Sequence, residues 1–182
     1  MTEADEQDQG YIKTTTHNYV SRLAIIDGAK QVEIKGRSIL QKNVIVKGNL
    51  AIVRVGRYCI INDNTTIEPP PMLPLTLNKY IPIVIGSHTY IGNNCKINAA
   101  AIGSMVYIGN NVKLGQRCII KDNCIIEDDV ILGDDTIIPP FTRITKHNPR
   151  YVYKELPPSI AQQLQNLSLD KFENFRQEQR NK

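Results

Sequence analysis

A six-residue repeat constrains the fold of this chain more than any other feature. An aliphatic residue recurs at every sixth position, with an interruption after Ile67 and one missing residue after Ile97. The repeated positions are Val55, Ile61, Ile67, Ile85, Ile91, Ile97, Ile102, Ile108, Leu114, Ile120, Ile126, Leu132, Ile138 and Ile144, with a weaker set of Ile34, Leu40 and Val46 before them. A short period sustained over so many repeats is typical of a solenoid.

The remaining positions of the hexad are restricted as well. Glycine often follows the aliphatic residue, as at Gly92, and Asn or Asp often comes next, as at Asn93. These residues suit tight turns and left-handed backbone. A small or β-branched residue stands two positions before each aliphatic one, such as Cys118 before Ile120, and strand alternation points both to the same side. We therefore predict short strands and tight turns that wind into triangular coils of roughly 18 residues around an aliphatic core.

Composition supports a folded chain and argues against several classes of function. Of its 182 residues, 41% are hydrophobic and 22% are charged, which is ordinary for a globular domain. A net charge of +4 is too small to indicate nucleic-acid binding. No apolar run reaches the roughly 18–20 residues of a membrane helix, and the acidic N-terminus is not typical of a signal peptide. We predict no nucleic-acid partner and no membrane insertion.

The chain divides into three regions. Residues 1–10 are predicted to form a disordered acidic tail and residues 11–146 a parallel β-helix of hexapeptide repeats. The prolines of residues 68–82 rule out a central strand, so we interpret this segment as an excursion loop. Residues 157–180 are predicted to form a C-terminal amphipathic helix. The predicted fold class is all-β, with this one helix added.

Two details of the C-terminal helix follow from its sequence. Ser159 and Gln162 match the capping-box pattern, which predicts the N-terminal end of the helix. Its apolar residues lie near one face, and the helix is either continuous or broken near Ser168. We expect it to pack on the β-helix rather than to remain free.

The residue immediately before each core aliphatic residue points outward, which sorts these residues into three rows. The first row is wholly apolar and contains Val84, Ala101, Ile119 and Ile137. The second row is apolar and aromatic with a polar end, and contains Ile60, Tyr90, Tyr107, Ile125 and Arg143. The third row is mostly polar and contains Thr66, Lys96, Lys113 and Ile131.

Two apolar rows are more than we expect a soluble chain to leave exposed. We expect the C-terminal helix to cover the first row. The second row is then predicted to form an interface with a partner, since stacked tyrosines suit a protein interface. The alternative is that the helix and the loop of residues 68–82 cover both rows.

No cluster of reactive side chains indicates an enzyme site. The four cysteines, Cys59, Cys95, Cys118 and Cys124, share the inward small-residue position, and we interpret them as buried packing thiols rather than as metal ligands or nucleophiles. His88 lies in a turn without an evident partner to orient it as a general base, so we expect it to be solvated.

Two enzyme classes built from such hexads were compared with the chain. Hexapeptide acyltransferases commonly use a histidine base in a homotrimer, and gamma-class carbonic anhydrases hold zinc with three histidines. The positions that match the spaced histidines of the anhydrases are Asn93 and Asn98, and Asn is a poor zinc ligand. We predict no catalytic residue, no metal and no cofactor, and keep such a homotrimeric enzyme as the alternative function.

Irregular segments carry a more specific resemblance. The stretches NVIVKGNLAIVRVGRYCII (43–61), KINAAAIGSMVYIG (96–109), QRCIIKDNCII (116–126) and IIPPFT (137–142) resemble the dynactin subunit 5 family. The members of this family are β-helical subunits at the pointed end of dynactin. The resemblance runs from about Val20 to Thr145, and likeness to the wider hexapeptide family implies that the coil winds left-handed.

The resemblance implies a noncatalytic role in the cytoplasm and cytoskeleton. A member of the family would pair with a dynactin subunit 6-like β-helical subunit and dock on actin-related protein at the pointed end of the filament. There it would help cytoplasmic dynein to engage cargo adaptors on microtubules. Membership of the sister β-helical family, subunit 6, is the other assignment that the shared fold leaves open.

Ile108→Asp tests the register of the repeat. We expect this substitution to unfold the chain, because Ile108 is predicted to point into a thin core where an unpaired charge is very costly. Tyr107→Glu, one residue away on the outside, is expected to leave the isolated fold intact and to weaken partner binding. Circular dichroism of the two variants provides the measurement, and a folded Ile108→Asp protein would contradict the register.

Overall fold

The structure, a computed structural model, describes residues 10–147 and 150–181. Within these residues, three parallel sheets form the sides of a triangular coil, and one C-terminal helix follows. The predicted fold class, a left-handed parallel β-helix of hexapeptide repeats with a C-terminal helix, is confirmed. Apart from Gly10, the predicted tail of residues 1–10 lies outside the described residues.

The three predicted outward rows correspond to the three sheets. Sheet 1, in spatial order, contains β19 (Ile137–Ile138), β16 (Ile119–Ile120), β13 (Ala101–Ile102), β10 (Ile83–Ile85), β7 (Val53–Arg57) and β4 (Val32–Gly36). Sheet 2 contains β1 (Tyr11–Lys13), β2 (Tyr19–Ser21), β5 (Ile39–Leu40), β8 (Ile60–Ile61), β11 (Tyr90–Ile91), β14 (Tyr107–Ile108), β17 (Ile125–Ile126), β20 (Thr142–His147) and β21 (Arg150–Glu155). Sheet 3 contains β18 (Ile131–Leu132), β15 (Lys113–Leu114), β12 (Lys96–Ile97), β9 (Thr66–Ile67), β6 (Ile45–Lys47) and β3 (Ile25–Asp27).

The register places like residues on like residues. In sheet 2, for example, Tyr90 is paired with Tyr107 and Ile91 with Ile108. The inward aliphatic residues from Leu40 to Ile144 therefore form one continuous cluster, and Ile108 is fully buried in it. A fully buried isoleucine contributes about 1.5–3 kcal/mol of hydrophobic stabilisation. Strands of only two residues are therefore stabilised by packing between successive coils.

The small inward position has a second role besides packing. The Cys59 thiol donates to the carbonyl of Gly86 over 3.0 Å, and the Cys95 thiol donates to the carbonyl of Gly109 over 3.1 Å. The Thr65 hydroxyl occupies the same position and donates to the carbonyl of Gly92 over 2.8 Å. Cysteine and threonine therefore satisfy carbonyls of the following coil at the corners, where the sheet ladders are interrupted.

The turns use left-handed backbone, as the Asn and Asp residues predict. At the corner between sheets 2 and 3, Asn94, Asn111 and Asp129 have φ values of 56°, 57° and 61°. Their side chains also connect successive coils, because Asn94 donates to Asn111 and Asn111 donates to Asp129. Short polar side chains reduce the cost of this conformation by bonding locally.

The last strands and the helix differ from the sequence prediction. β20 and β21 form an antiparallel hairpin that extends sheet 2, and no hexad signal indicated β21. The helix, α1 (Ile160–Arg180), is continuous through Ser168, and Ser159 makes no side-chain cap. The helix therefore begins where the capping-box pattern predicts, with Ser159 as its N-cap residue, but the expected side-chain hydrogen bond is absent, since Ser159 itself has helical backbone angles.

The turn glycines provide a test of coil spacing. A Cβ added at Gly109 would lie 2.7 Å from the backbone nitrogen of Asp128 in the next coil. We expect Gly109→Ala to destabilise the fold by about 1–3 kcal/mol through overpacking. Gly133 has the same hexad position in the last coil, where an added Cβ meets only Thr136 at 4.0 Å.

Gly133→Ala is therefore the matched control for Gly109→Ala. It is expected to be neutral or to stabilise by up to about 1 kcal/mol, because alanine restricts the unfolded chain. Urea denaturation compares the two variants. Equal effects from both substitutions would show that coil spacing does not limit this position.

Candidate interaction surfaces

Helix α1 lies across the outer surface of sheet 2. Phe172, which is only 4% exposed, forms a buried cluster with Tyr19, Ile39 and Ile60. The helix runs from the last coils, where Ile160 is buried, towards the first coils near Tyr19. Its apolar stripe thus covers the row that contains Ile60, Tyr90, Tyr107 and Ile125.

Aromatic rings set the position of the helix on this sheet. Phe172 meets Tyr58 edge-on with ring centroids 5.6 Å apart, and Phe175 meets Tyr11 edge-on at 4.9 Å. Edge-to-face pairs of this kind contribute about 0.5–1.5 kcal/mol beyond the area they bury. Two phenylalanines on the helix therefore match an aromatic surface that sheets 1 and 3 do not offer.

Two tyrosines of the second row stack on each other. The rings of Tyr90 and Tyr107 are parallel with centroids 4.9 Å apart, and the Lys171 ammonium lies 5.1 Å from the centre of the Tyr90 ring. Tyr107 and Ile125 line a groove of about 670 Å³ beside Leu164 of the helix. Burial raises the pKa of both Tyr90 and Tyr107, and the negative charge of Asp128 raises both values further.

The prediction that the helix covers the first row was wrong. The helix covers the row of Ile60, Tyr90, Tyr107 and Ile125, which was expected to bind a partner, and not the row of Val84, Ala101, Ile119 and Ile137. The physical reason is the hairpin. β21 extends sheet 2, and only residues 156–159 join it to α1, so the helix is delivered to the surface of that sheet.

The first row remains uncovered within the described residues. Val84 is 45% exposed and Ile137 is 61% exposed, while Ala101 and Ile119 between them are partly buried. The four residues lie on neighbouring strands of sheet 1, so they form one continuous apolar stripe. At the other end of the sheet, Arg54 and Glu33 form an ion pair at 3.5 Å.

The loop of residues 68–82 carries a second exposed apolar surface. Its base is closed by a bridge between Pro71 and Tyr80, and the Arg117 guanidinium donates to the carbonyl of Pro71 over 3.4 Å. At its tip, Leu73 is 56% exposed and Leu75 is 65% exposed. The loop therefore does not cover either apolar row with these side chains.

His88 is a docking residue that sequence reasoning missed. Its ring stacks on Tyr58 at 5.1 Å, and its Nδ1 lies 2.7 Å from the Ser168 hydroxyl of the helix. Because that hydroxyl donates to the carbonyl of Gln165, we infer that Nδ1–H of His88 donates to Ser168. The expectation that His88 is solvated was wrong, and burial lowers its pKa. A partner eighty positions away left no local signal.

The cysteines are placed as predicted, with all four buried in the core. Burial raises the pKa of each thiol, and that of Cys59 reaches about 11. A thiol with a raised pKa is a poor nucleophile near neutral pH. Over residues 10–147 and 150–181, no group of three or more His, Cys, Asp or Glu side chains is arranged to hold a metal ion.

Comparison with known proteins decides the family. The family model described as dynactin subunit 5 matches residues 2–178. The chain belongs to the dynactin subunit 5 family. Dynactin subunit 5 of Dictyostelium discoideum is 43% identical over 94 residues, which are 52% of this chain and 48% of that relative. The alignment thus spans about half the length of the curated relative, and it confirms the resemblance found in the irregular segments.

Solved structures support the fold. A hexapeptide transferase family protein from Anaplasma phagocytophilum has a TM-score of 0.56 to this chain at 15% identity, and the match covers 92% of this chain and 97% of that protein. At this identity the similarity concerns the fold alone. In the described part of the chain, no helix is long and apolar enough to cross a membrane.

The burial of the His88 ring predicts a pH dependence of stability. Since burial lowers the pKa of His88 below its ordinary 6.5, the unfolded chain takes up this proton first as the pH falls. The stability contribution of neutral His88 is therefore kept above pH 6.5 and lost below it. We expect the free energy of unfolding to fall between about pH 7.5 and about pH 5.5.

His88→Asn is the control for this pH dependence. Asn tolerates the left-handed backbone of this position, where φ is 58°, and does not titrate. Urea denaturation at both pH values should show a smaller loss of stability on acidification in this variant. The same loss in both proteins would assign the effect to other groups.

Proposed function

We propose that this chain is a noncatalytic pointed-end subunit of dynactin. In this role it binds a dynactin subunit 6-like β-helical subunit and actin-related protein, helps dynein to engage cargo adaptors on microtubules, and resides in the cytoplasm with the cytoskeleton. Membership of the dynactin subunit 5 family supports the complex to which it is assigned. The observation that favours binding over catalysis is the uncovered apolar stripe of sheet 1.

The apolar stripe has the properties of an interface core. It crosses four neighbouring strands, which at a spacing of about 4.8 Å extends over about 15 Å. An exposed apolar surface with a polar border is typical of a protein interaction site, and the Arg54–Glu33 ion pair provides such a border at one end. Since α1 covers sheet 2, we transfer the proposed partner interface from the second row to the first, and Tyr107→Glu is then no longer expected to weaken partner binding.

We assign the apolar stripe to the sister β-helical subunit. A face of a β-helix is flat and regular, and a second β-helix offers a surface of the same kind. The exposed leucines of the loop, which leads directly into β10, can extend the contact beyond the edge of the sheet. The contacts with actin-related protein and with adaptors remain part of the proposal without an assigned surface.

Ile137→Lys tests this assignment. We expect a tagged chain with this substitution to lose the second β-helical subunit in a pull-down from cytosol, because a lysine ammonium would be desolvated in the interface. Ile131→Lys is the matched control, since Ile131 is a 50% exposed outward isoleucine on the neighbouring sheet. Circular dichroism should show that both variants are folded.

Two results would contradict the proposal at different levels. If Ile137→Lys and Ile131→Lys retain the sister subunit equally, the stripe is not the interface. If the unmodified chain is recovered alone as a homotrimer that transfers acyl groups, it is instead a hexapeptide-repeat enzyme, and the noncatalytic role is wrong.

A further inference from the structure

A groove of about 590 Å³ lies between the end of α1 and the first coils. Its floor is aromatic and is formed by Tyr19, Tyr58 and Phe172. Its walls are mostly cationic and contain Lys13, Arg37, Arg176 and Arg180, together with His17. We call this feature the basic groove. No part of the proposed function uses it.

Positive charge exceeds negative charge in and around the basic groove. Asp170 and Glu173 are the carboxylates that line it, against the four cationic side chains. A neighbouring depression shares His17 and Arg37 with the groove and adds Lys35 and Arg57. The chain as a whole carries only +4, so this region concentrates its excess of positive charge.

Most of these cations have no carboxylate partner among the described residues. Arg176 pairs with Glu173 at 2.5 Å, but its Nε atom is buried without an acceptor in that part of the chain. Arg37 donates to the Tyr58 hydroxyl and lies 5.5 Å from the centre of that ring, and Lys13 lies 5.8 Å from the Tyr19 ring. A guanidinium that rests on an aromatic ring, as that of Arg37 does, keeps N–H donors free for a carboxylate, which it binds by charge-assisted hydrogen bonds.

The sequence supplies an acidic segment next to the groove. Residues 1–9, which lie outside the described part of the chain, read MTEADEQDQ and contain Glu3, Asp5, Glu6 and Asp8 but no basic side chain. The described chain resumes at Gly10, and β1 then leads within three residues to Lys13 in the wall of the groove. Nine extended residues reach about 30 Å, whereas β1 spans about 10 Å, so the segment is long enough to return to the groove.

The charges at the two ends of β1 also favour a path of the acidic segment back along β1 towards the groove. At the Gly10 end, Asp63 and Glu178 lie near Tyr11, and after burial itself their negative charges raise its pKa. There these two carboxylates outnumber the Arg22 guanidinium beside Gly10 and oppose an acidic segment, whereas the Lys13 end opens on the cations of the groove. We propose that the acidic residues Glu3, Asp5, Glu6 and Asp8 of this chain bind in its own basic groove.

Paramagnetic broadening in NMR spectra of the full chain tests this proposal. A nitroxide is attached to an Ala4→Cys variant, which is the reactive position because burial raises the pKa of the native thiols. We expect loss of amide signal at Lys13, Arg37 and Arg180, but not at Lys113 on sheet 3. At about 1 M salt, where the Debye length is about 3 Å, the signals should recover.

Matched charge variants locate the binding site. Arg37→Gln with Arg180→Gln should restore the groove signals, whereas Lys96→Gln with Lys113→Gln removes the same charge from sheet 3 and should not. Folding of each double variant is checked by the dispersion of its spectrum. The proposal would be overturned if the broadening were the same in the groove variant as in the unmodified chain, or if it were strongest at Arg22 beside Gly10.

A mixed sample separates the other occupants. Spin-labelled chain without isotope is added to isotope-labelled chain without spin label. Groove broadening only in this mixture would show that a second copy supplies the segment. If the groove signals are unaffected in both samples, yet shift when a synthetic peptide of residues 1–9 is added, the groove takes acidic peptides of other proteins. Either result would overturn the assignment to the chain's own segment.

Discussion

The contact between one coil and the next is the interaction on which the rest of the structure depends. A two-residue strand has no stability of its own, so each coil is held only by the coils above and below it. Three kinds of contact join successive coils. They are stacked aliphatic residues in the core, backbone hydrogen bonds along the sheets, and side-chain hydrogen bonds from thiols, hydroxyls or amides at the corners. The glycines permit the close approach that these contacts require, because a Cβ at Gly109 would collide with the backbone of Asp128.

The inward positions therefore leave little freedom, and the differences between the sheets lie in their outward residues. Sheet 2 is aromatic near the first coils, sheet 1 is aliphatic, and sheet 3 carries lysines at Lys96 and Lys113. Phe175 finds an edge-to-face partner in Tyr11 of sheet 2, and Phe172 finds one in Tyr58 at the corner between sheets 1 and 2. The His88–Ser168 hydrogen bond fixes the middle of the helix against the same corner. The helix thus converts the most aromatic outer surface into a second, smaller core.

The sequence was sufficient to predict the core and the three outward rows, because strand alternation and the six-residue period are local properties of the chain. Every cysteine and every core isoleucine of the repeat follows from them. The position of the helix does not, because it depends on the β20–β21 hairpin, and β21 departs from the hexad pattern. A count of apolar residues predicted that the helix packs on sheet 1. It packs on sheet 2 because the hairpin places it there and because its phenylalanines find aromatic partners there. His88 was missed for the same reason, since its partner lies in a different element.

A fold shared with a hexapeptide transferase family protein at 15% identity shows how little the coil itself says about function. The same inward pattern is required whether the outer surface binds a substrate or a protein, so function must be sought in what interrupts or decorates the coil. Here the decorations are the loop of residues 68–82, the helix and the basic groove at its end. Because α1 already covers sheet 2, an apolar stripe on sheet 1 cannot be accounted for by packing within the described chain. The partner that we propose for the stripe would account for an aliphatic surface on a scaffold that carries Lys96 and Lys113 at the equivalent positions of sheet 3.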